Sequence, residues 1–236
     1  MYYSYGYGYG VNSSYLLVLV AMVIAMIAQW AVTKAFKQYS QVGASSGISG
    51  AEAAHRFLQM NGIYDVTIVH TSGSLTDNYN SSNKTLNLSD SVYGSTSVSA
   101  VAVAAHECGH AVQDAVGYGP LRLRTAMVPV ANIGSKASWI LFMLGLFLNI
   151  TGLIKIGIIC FMAALAFQVV TLPVEFDASR RGLMMLTQCG VLAEEEMTGA
   201  RKVLRSAAFT YVAAVITSLF QLLRFLAILN GGRRRR

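Results

Sequence analysis

Long apolar runs alternate with polar stretches along this chain of 236 residues. The runs lie at residues 15–33, 127–174 and 207–229, and the middle run is long enough for two helices that turn near Gly152 and Lys155. A membrane-spanning helix needs about 20 mostly apolar residues. The pattern therefore predicts a mainly α-helical, multi-span membrane protein with about four transmembrane helices, two of which form a tight hairpin.

The polar stretches predict smaller elements. Residues 48–60 have the spacing of an amphipathic helix, whereas residues 65–70 and 84–88 alternate as strands do. With turn residues between them, the two strand segments predict a small antiparallel β-sheet. From Val98 to about Gly117 the chain is rich in small apolar residues, which predicts one continuous helix.

We expect one membrane-embedded domain over residues 1–236. Its predicted parts are a Tyr/Gly-rich tail (1–14), the first span (15–33), a helix, the small sheet and a second helix (48–117), the two-span hairpin (127–174), a polar region (175–206) and the last span (207–229). Tyrosine favours the bilayer boundary, so the tail is expected to lie at the interface.

The composition agrees with a membrane protein and narrows its partners. Hydrophobic residues make up 54% of the chain and charged residues 12%, whereas a soluble domain carries about 25% charged residues. These values exclude disorder and an ordinary soluble fold, and three cysteines are too few for a disulfide framework. The net charge of +7 is better explained by membrane topology than by nucleic-acid binding.

Basic residues mark one side of the predicted membrane. They lie at 34–37, 122–124 and 180–205, and with four spans all three groups fall on the same side. Positive flanks are typical of the cytoplasmic side, so we predict that these segments face the cytoplasm. The arginine tail at 233–236 falls on the opposite side and does not follow the rule.

The predicted helix over 98–117 carries an H-E-x-x-H motif at residues 106–110, with the sequence HECGH. Four residues advance an α-helix by about 400°, so His106 and His110 share one face, about 6 Å apart along the axis. That spacing lets both imidazoles bind one Zn²⁺, and Glu107 beside them is placed to act as a general base. The alternative is that both histidines are ordinary core residues and that Glu107 forms an ion pair. This interpretation does not explain why three ionisable groups lie in such apolar surroundings, where burying them is costly.

A catalytic zinc site needs a third protein ligand and an open position. His55 lies on a predicted surface helix and His70 at a strand end, where solvated or core histidines are typical. Asp114 follows His110 by one turn, but its short side chain cannot easily curl back to the same metal. The acidic run at 194–196 is typical of a solvated helix start.

Glu175 is the predicted third ligand. It directly follows the third apolar segment, where an unpaired carboxylate is costly. An interfacial ion pair with Arg180 or Arg181 is the alternative interpretation. The three predicted metal ligands are thus His106, His110 and Glu175.

Four stretches of the chain resemble the YugP-type neutral zinc metallopeptidases of bacterial membranes. They are LTDNYNSSNKTLNLS, SVSAVAVAAHECGHAVQ, FQVVTLPVEFDASRRGL and AAFTYVAA, and they occur in the family's order between about residues 50 and 215. The resemblance implies a gluzincin-like peptidase with several membrane helices. In the similar HtpX-type and CAAX-prenyl-type membrane proteases the third ligand is a Glu that begins an E-x-x-A-D motif, with which Glu175 aligns.

The last position of that motif is Ser179 in this chain. A hydroxyl orients a ligand histidine less firmly than a carboxylate does, so Asp177 or Asp114 could supply this support instead.

Cys108 is expected to point away from the histidine face and to pack in the core. The loop around Tyr79 lacks the His and Pro expected from the family, which leaves the substrate contacts there open.

Transition-state stabilisation and substrate binding have further candidates. Arg180, Arg181 and Tyr79 could each stabilise the oxyanion of the tetrahedral intermediate. The strand at 84–88 could pair with an extended peptide substrate, although an ordinary sheet strand is the simpler interpretation.

These features predict a zinc-dependent membrane endopeptidase that acts on peptides or proteins, in particular membrane proteins, and contacts the lipid bilayer but no nucleic acid. We expect it in the bacterial inner membrane, with its site near the cytosolic face. The alternative is a catalytically silent, zinc-stabilised membrane scaffold, although such sites usually have four protein ligands. A transporter ranks last, because no pair of Gly/Pro-interrupted repeats is visible.

Overall fold

The protein, described here by a computed structural model, is mainly helical, as predicted. The structure describes residues 13–233 and the side chains of 15–229. The predicted Tyr/Gly-rich tail and the end of the arginine tail lie outside these residues. The elements are α1 (Ser13–Ser40), α2 (Gly50–Met60), β1 (Thr67–Thr71), β2 (Asn78–Asn80), β3 (Thr85–Ser89), α3 (Val98–Ala115), α4 (Gly119–Phe147), α5 (Thr151–Cys189) and α6 (Glu194–Arg233).

Four of the described helices are long and apolar enough to cross a membrane, which confirms the predicted number. They are α1 over Tyr15–Ser40, α4, α5, and α6 over Glu194–Leu229. The mean hydropathy of an 18-residue window in each of these helices is 2.4, 1.4, 2.3 and 2.1, in that order. Each helix extends beyond its apolar segment. The turn between α4 and α5 is tight and includes Asn149, which adopts a positive φ of 56°.

The small sheet is mixed rather than antiparallel, so the predicted topology was wrong. Its strand order is β1-β3-β2, with β1 parallel and β2 antiparallel to β3. The two segments predicted to be strands are indeed neighbours. The chain reverses direction in β2, which lies between them in sequence. That three-residue strand, Asn-Tyr-Asn, lacks the β-branched alternation that would have predicted it.

Helix α3 lies in the main hydrophobic core. It begins after Ser97, whose side chain accepts a hydrogen bond from the backbone N–H of Ala100, and it ends just before Gly117, which adopts a φ of 65°. Its small side chains pack among fully buried residues of α2, β3 and the polar end of α5, including Phe57, Leu86 and Leu186. This packing holds α3 between the sheet and α5.

Two glycines let α3 and α5 cross at close range. A Cβ atom on Gly109 would lie 2.3 Å from the carbonyl oxygen of Ala178, and one on Gly182 would lie 3.0 Å from the carbonyl group of Ala105. Each distance is shorter than ordinary van der Waals contact. The close crossing therefore requires glycine at position 109 and favours it at position 182, and it places the motif helix directly against the last third of α5.

Glu175 lies inside α5 and not at the end of a helix, contrary to the expectation that it follows the third span. The helix continues past Pro173 and Glu175 to Cys189. Proline is tolerated within membrane helices when neighbouring groups satisfy the freed backbone carbonyls. The carbonyl that Pro173 leaves without its helical partner is that of Val169, four residues earlier. The Gln113 side chain on α3 donates to a different carbonyl, that of Val174, and this bond ties α3 to α5 beside the proline.

Candidate metal centre

The structure brings His106, His110 and Glu175 together. The Oε2 atom of Glu175 lies 3.3 Å from Nε2 of His106 and 3.6 Å from Nε2 of His110. One donor atom from each residue lies within 4.8 Å of the others, and these three are the candidate metal-holding group among the described residues. The two imidazoles come from successive turns of α3, and the carboxylate comes from α5 across the glycine crossing.

The environment of this group is unfavourable without a cation. Glu175 is 2% exposed, and its Oε2 atom is buried without a hydrogen-bond partner among residues 15–229. The amide nitrogen of Gln113 donates to two other groups, so its oxygen faces Nδ1 of His110 and accepts a hydrogen bond from it. Nε2, the other ring nitrogen of His110, then faces the carboxylate of Glu175. Two electron-rich atoms facing each other in a buried site fit a shared metal ion.

Different side chains orient the two histidines. Nδ1 of His106 lies 3.1 Å from the hydroxyl of Ser179, and Nδ1 of His110 lies 3.0 Å from Oε1 of Gln113. The Gln113 amide is fixed in turn by Val174 O at 2.8 Å and by the carboxylate of Asp177 at 3.0 Å. Ser179 itself therefore contacts His106, and Asp177 acts on His110 only through Gln113.

Asp114, the other residue predicted to orient a ligand histidine, lies away from both histidines. Its carboxylate accepts hydrogen bonds from Lys84 at 2.6 Å and from the hydroxyl of Tyr79 at 2.8 Å. Sequence reasoning missed the contribution of Gln113. Its position three residues after His110, on the same helix face, was the available signal.

Glu107 lies beside the group and is 8% exposed. Burial raises the pKa of its carboxyl to about 7, against the opposing effect of nearby His106. The charges of Glu175 and Asp77 raise this pKa further, whereas the backbone N–H of Tyr79 lowers it. A carboxyl with a pKa near neutrality can both accept and return a proton under physiological conditions.

The three predicted oxyanion stabilisers are occupied by other partners. Arg180 and Arg181 both bind the carboxylate of Asp177, and the hydroxyl of Tyr79 binds Asp114. Two residues that sequence reasoning did not identify lie near the group instead. Arg124 on α4 approaches Oε1 of Glu175 to 3.6 Å. Tyr211 on α6 lines a cavity together with His106 and Glu107.

Two cavities open on either side of the group. One of about 400 Å³ is lined by His110, Arg124 and the β2 strand, and the other, of about 320 Å³, is lined by Glu107 and Tyr211 among others. The segment before and including β2 borders the two cavities with different residues: Asn78–Asn80 line the first, and Leu75 and Asp77 line the second. The 84–88 segment is an ordinary sheet strand, the simpler of its two interpretations, because β3 is already paired on both sides and cannot also pair with substrate. The two edge strands are β1 and β2, and β2 is the one that lines a cavity at the metal group.

The remaining histidines and Cys108 lie apart from the group. His55 is exposed on α2, and His70 binds Asp90 at 2.7 Å. Cys108 is fully buried in the core with its Sγ directed at the carbonyl oxygen of Ala54, 3.6 Å away, so it packs as predicted. Burial raises the pKa of the Cys108 thiol, which disfavours the reactive thiolate.

Comparison with known proteins identifies the family. Residues 14–230 match the family described as "Putative neutral zinc metallopeptidase", and the chain belongs to this family. The chain is 46% identical over 217 residues to "Putative membrane protease YugP" of Bacillus subtilis (strain 168), covering 92% of this chain and 96% of that protein. No solved structure matches.

Family membership agrees with the fold and the site. The chain is a member of a zinc peptidase family, it has four helices suited to a membrane, and it contains a His/His/Glu group that could hold a metal ion. The resemblance drawn from the sequence and the expected zinc cofactor are therefore confirmed, and peptides or proteins are the substrates that such a family implies.

Proposed function

We propose that this protein is a zinc-dependent membrane endopeptidase in which His106, His110 and Glu175 hold the metal and Glu107 is the general base. The observation that supports this most strongly is the convergence of the three side chains on a buried carboxylate oxygen that has no hydrogen-bond partner. The donor set of two imidazoles and one carboxylate is that of a catalytic zinc site with an open position.

The chain's own residues supply most of the proposed chemistry. Zinc, when bound, polarises the scissile carbonyl and makes a water molecule more acidic. Glu107, buried beside the two histidines, takes the proton of the attacking water and passes it to the leaving amine. Ser179 and Gln113 orient the imidazoles. Tyr211 and Arg124 are the side chains placed nearest for stabilising the developing oxyanion.

The unpaired edge of strand β2 is the proposed binding surface for the substrate backbone. Tyr79 directs its backbone N–H towards Glu107 and away from β3. An extended peptide that pairs with this edge would run past the metal group from one flanking cavity to the other. This arrangement suits an endopeptidase, because chain can continue on both sides of the scissile bond.

We propose membrane proteins, and segments close to the membrane, as substrates. The basic residues near the polar ends of α1, α4, α5 and α6 favour a cytoplasmic location for those ends. The proposed location is therefore the inner membrane, with the site facing the cytosol. A site walled by helices suited to a lipid bilayer would meet the cytosolic ends of membrane proteins more often than soluble proteins.

The decisive assay compares Glu107→Gln with the wild type on casein in detergent. The variant should retain zinc and lose at least about 100-fold in kcat, because the general base is removed without removing a ligand. Glu195→Gln is the matched control, since this exposed carboxylate at the start of α6 lies outside the site. Equal cleavage by Glu107→Gln and the wild type would refute the proposed mechanism.

The silent zinc scaffold is the second candidate function, and the site argues against it. Among residues 15–229 the group supplies three ligands, whereas closed structural zinc sites usually have four. Two cavities also give access to it. If Glu107→Gln, Glu195→Gln and the wild type all bind zinc and none cleaves protein, the scaffold becomes the better interpretation.

A further inference from the structure

A groove of about 650 Å³ lies between α5 and α6, and Leu204 of α6 lines both this groove and the smaller cavity that contains His106 and Glu107. Its floor is apolar and includes Phe176, Leu183 and Met184 of α5 and Leu204 and Ala208 of α6. Along α5 the lining runs from residue 176 to residue 188, a length of about 18 Å at 1.5 Å per residue. The groove is therefore long and narrow enough for a single extended chain.

Of the residues whose side chains the structure describes, three arginines line the groove, at positions 180, 201 and 205, and no acidic residue does. Arg180 is paired with Asp177. Arg201 and Arg205 stand one turn apart on α6, are exposed, and form no ion pair among residues 15–229. The groove thus combines an apolar floor with two uncompensated positive charges.

Both walls belong to helices that are suited to a membrane, and the arginines lie near the polar end of α6. Under the proposed membrane placement, this end lies at the cytosolic interface. Basic pockets between membrane helices on that side bind anionic lipid headgroups, and their apolar extensions accept acyl chains. The distribution of charge and apolar surface matches an amphipathic ligand with a negative head.

A peptide fits this groove less well than a lipid. The walls are two continuous helices, whose backbone N–H and C=O groups are bonded within each helix. An extended peptide would find no backbone partners for its own polar groups along such an apolar floor, and unpaired polar groups there are costly. An acyl chain has no such requirement.

We propose that the groove binds one anionic phospholipid, with an acyl chain along the floor between Phe176 and Ala208 and the phosphate against Arg201 and Arg205. Ser179 also lines the groove, and its hydroxyl contacts Nδ1 of His106. The bound lipid would therefore lie one side chain away from the candidate metal group. The proposal needs the membrane placement but not peptidase activity.

The test measures lipid binding directly on the purified full-length chain in detergent micelles. Native mass spectrometry follows the titration with phosphatidylglycerol, and phosphatidylcholine serves as the neutral probe. The Arg201→Gln/Arg205→Gln variant should bind phosphatidylglycerol about 10- to 30-fold more weakly, since each basic residue near a membrane surface contributes about fivefold. Lys34→Gln/Lys37→Gln is the matched control, because it removes the same charge from the polar end of α1.

A third variant keeps the charge and fills the groove. Thr187→Trp, at an exposed groove position, should displace phosphatidylglycerol while all three arginines remain. Weakened binding in the arginine and tryptophan variants, with unchanged binding in the lysine control, supports the proposal. Equal binding of both lipids, equal losses in the arginine and lysine variants, or unchanged binding in Thr187→Trp would each overturn it. So would loss of protein-substrate binding by Thr187→Trp without loss of lipid, which would assign the groove to substrate.

Discussion

Helix α3 and the four candidate spans are all rich in apolar residues, but they bury very different shares of their surface. Most residues of α3 are buried against protein, and its apolar positions are mainly alanine, glycine and valine. In the spans only 11–28% of the most apolar window is buried, and large side chains such as Trp30, Ile133 and Phe147 are exposed. Apolarity in α3 therefore serves close packing, whereas in the spans it suits contact with lipid.

This difference has a consequence for the site. Small residues allow α3 to approach α5 closely enough for side chains one helical turn apart to meet Glu175. The candidate spans also meet closely in places, since a Cβ atom on Gly157 of α5 would lie 2.8 Å from the backbone nitrogen of Phe142 on α4, and they share a small aromatic cluster in which Phe142 and Phe225 stack at 4.0 Å. Changes in α3 should therefore disturb the site strongly, and changes on the exposed faces of the spans should disturb it little.

The largest effect on the metal group is expected from Gly109→Ala. The added Cβ would lie 2.3 Å from the backbone oxygen of Ala178, which cannot rotate away. Overpacking of this kind costs about 1–3 kcal/mol and would separate the histidines from Glu175. We expect a lower melting temperature and loss of stoichiometric zinc by metal analysis.

Gly152→Ala is the matched control for this substitution, because a Cβ there meets nothing within 4 Å. It lies in the first turn of α5, where alanine is the better helix former. If Gly109→Ala and Gly152→Ala have the same melting temperature and the same zinc content, the close crossing of α3 and α5 does not determine the geometry of the metal group.

A pair of leucine truncations tests the two kinds of apolar surface. Leu86 is fully buried in the core, and Leu86→Ala should cost about 2–5 kcal/mol of unfolding free energy. Leu144 on α4 is 43% exposed, and Leu144→Ala should cost less than about 0.5 kcal/mol. Thermal unfolding in detergent measures both, and equal losses would contradict the contrast between core and span.

The side chains that orient the two histidines should contribute unequally to zinc affinity. Gln113→Leu removes hydrogen bonds to His110, Val174 and Asp177 and should weaken zinc binding about 10- to 100-fold. Ser179→Ala removes a single contact to His106 and should weaken it less. Competition with a zinc chelator measures both affinities, and a larger loss in Ser179→Ala would reverse the assignment.

The smallest effect concerns the exposed rim of the sheet. Hydrogen bonds from the Gly73 N–H and from His70 hold the pKa of Asp90 below its usual value. A carboxyl whose pKa is lowered by folding stabilises the protein above its unfolded pKa, and this contribution is lost as pH falls through the folded pKa. Asp90→Asn should therefore melt slightly lower than the wild type at pH 7, and the difference should shrink on acidification. If the difference in melting temperature grows as the pH falls, folding raises the pKa of Asp90 and the prediction is wrong.

Much of the fold could be predicted from the sequence because the signals were local. Long apolar runs indicated the four spans, and helical spacing within residues 106–110 placed both imidazoles on one face. Glu175 was identified as a costly carboxylate beside an apolar run, and the structure places it against both histidines.

The features that were missed depend on distant partners. Gln113 binds groups on α5 that are 61 and 64 residues away, and nothing in its own neighbourhood indicates them. Arg180 and Arg181 were candidate oxyanion stabilisers by charge alone, yet Asp177 on the same helix engages both. The mixed sheet was missed because β2 is only three residues long and has no strand pattern.

The most direct test of the proposed metal centre is zinc X-ray absorption spectroscopy on the purified protein, combined with metal analysis. The account predicts one zinc per chain, two imidazole ligands, and only nitrogen and oxygen neighbours at about 2.0–2.2 Å. In Glu175→Ala the bound zinc should fall well below one per chain. A sulfur neighbour at about 2.3 Å, or full zinc occupancy in Glu175→Ala, would contradict a centre built from His106, His110 and Glu175.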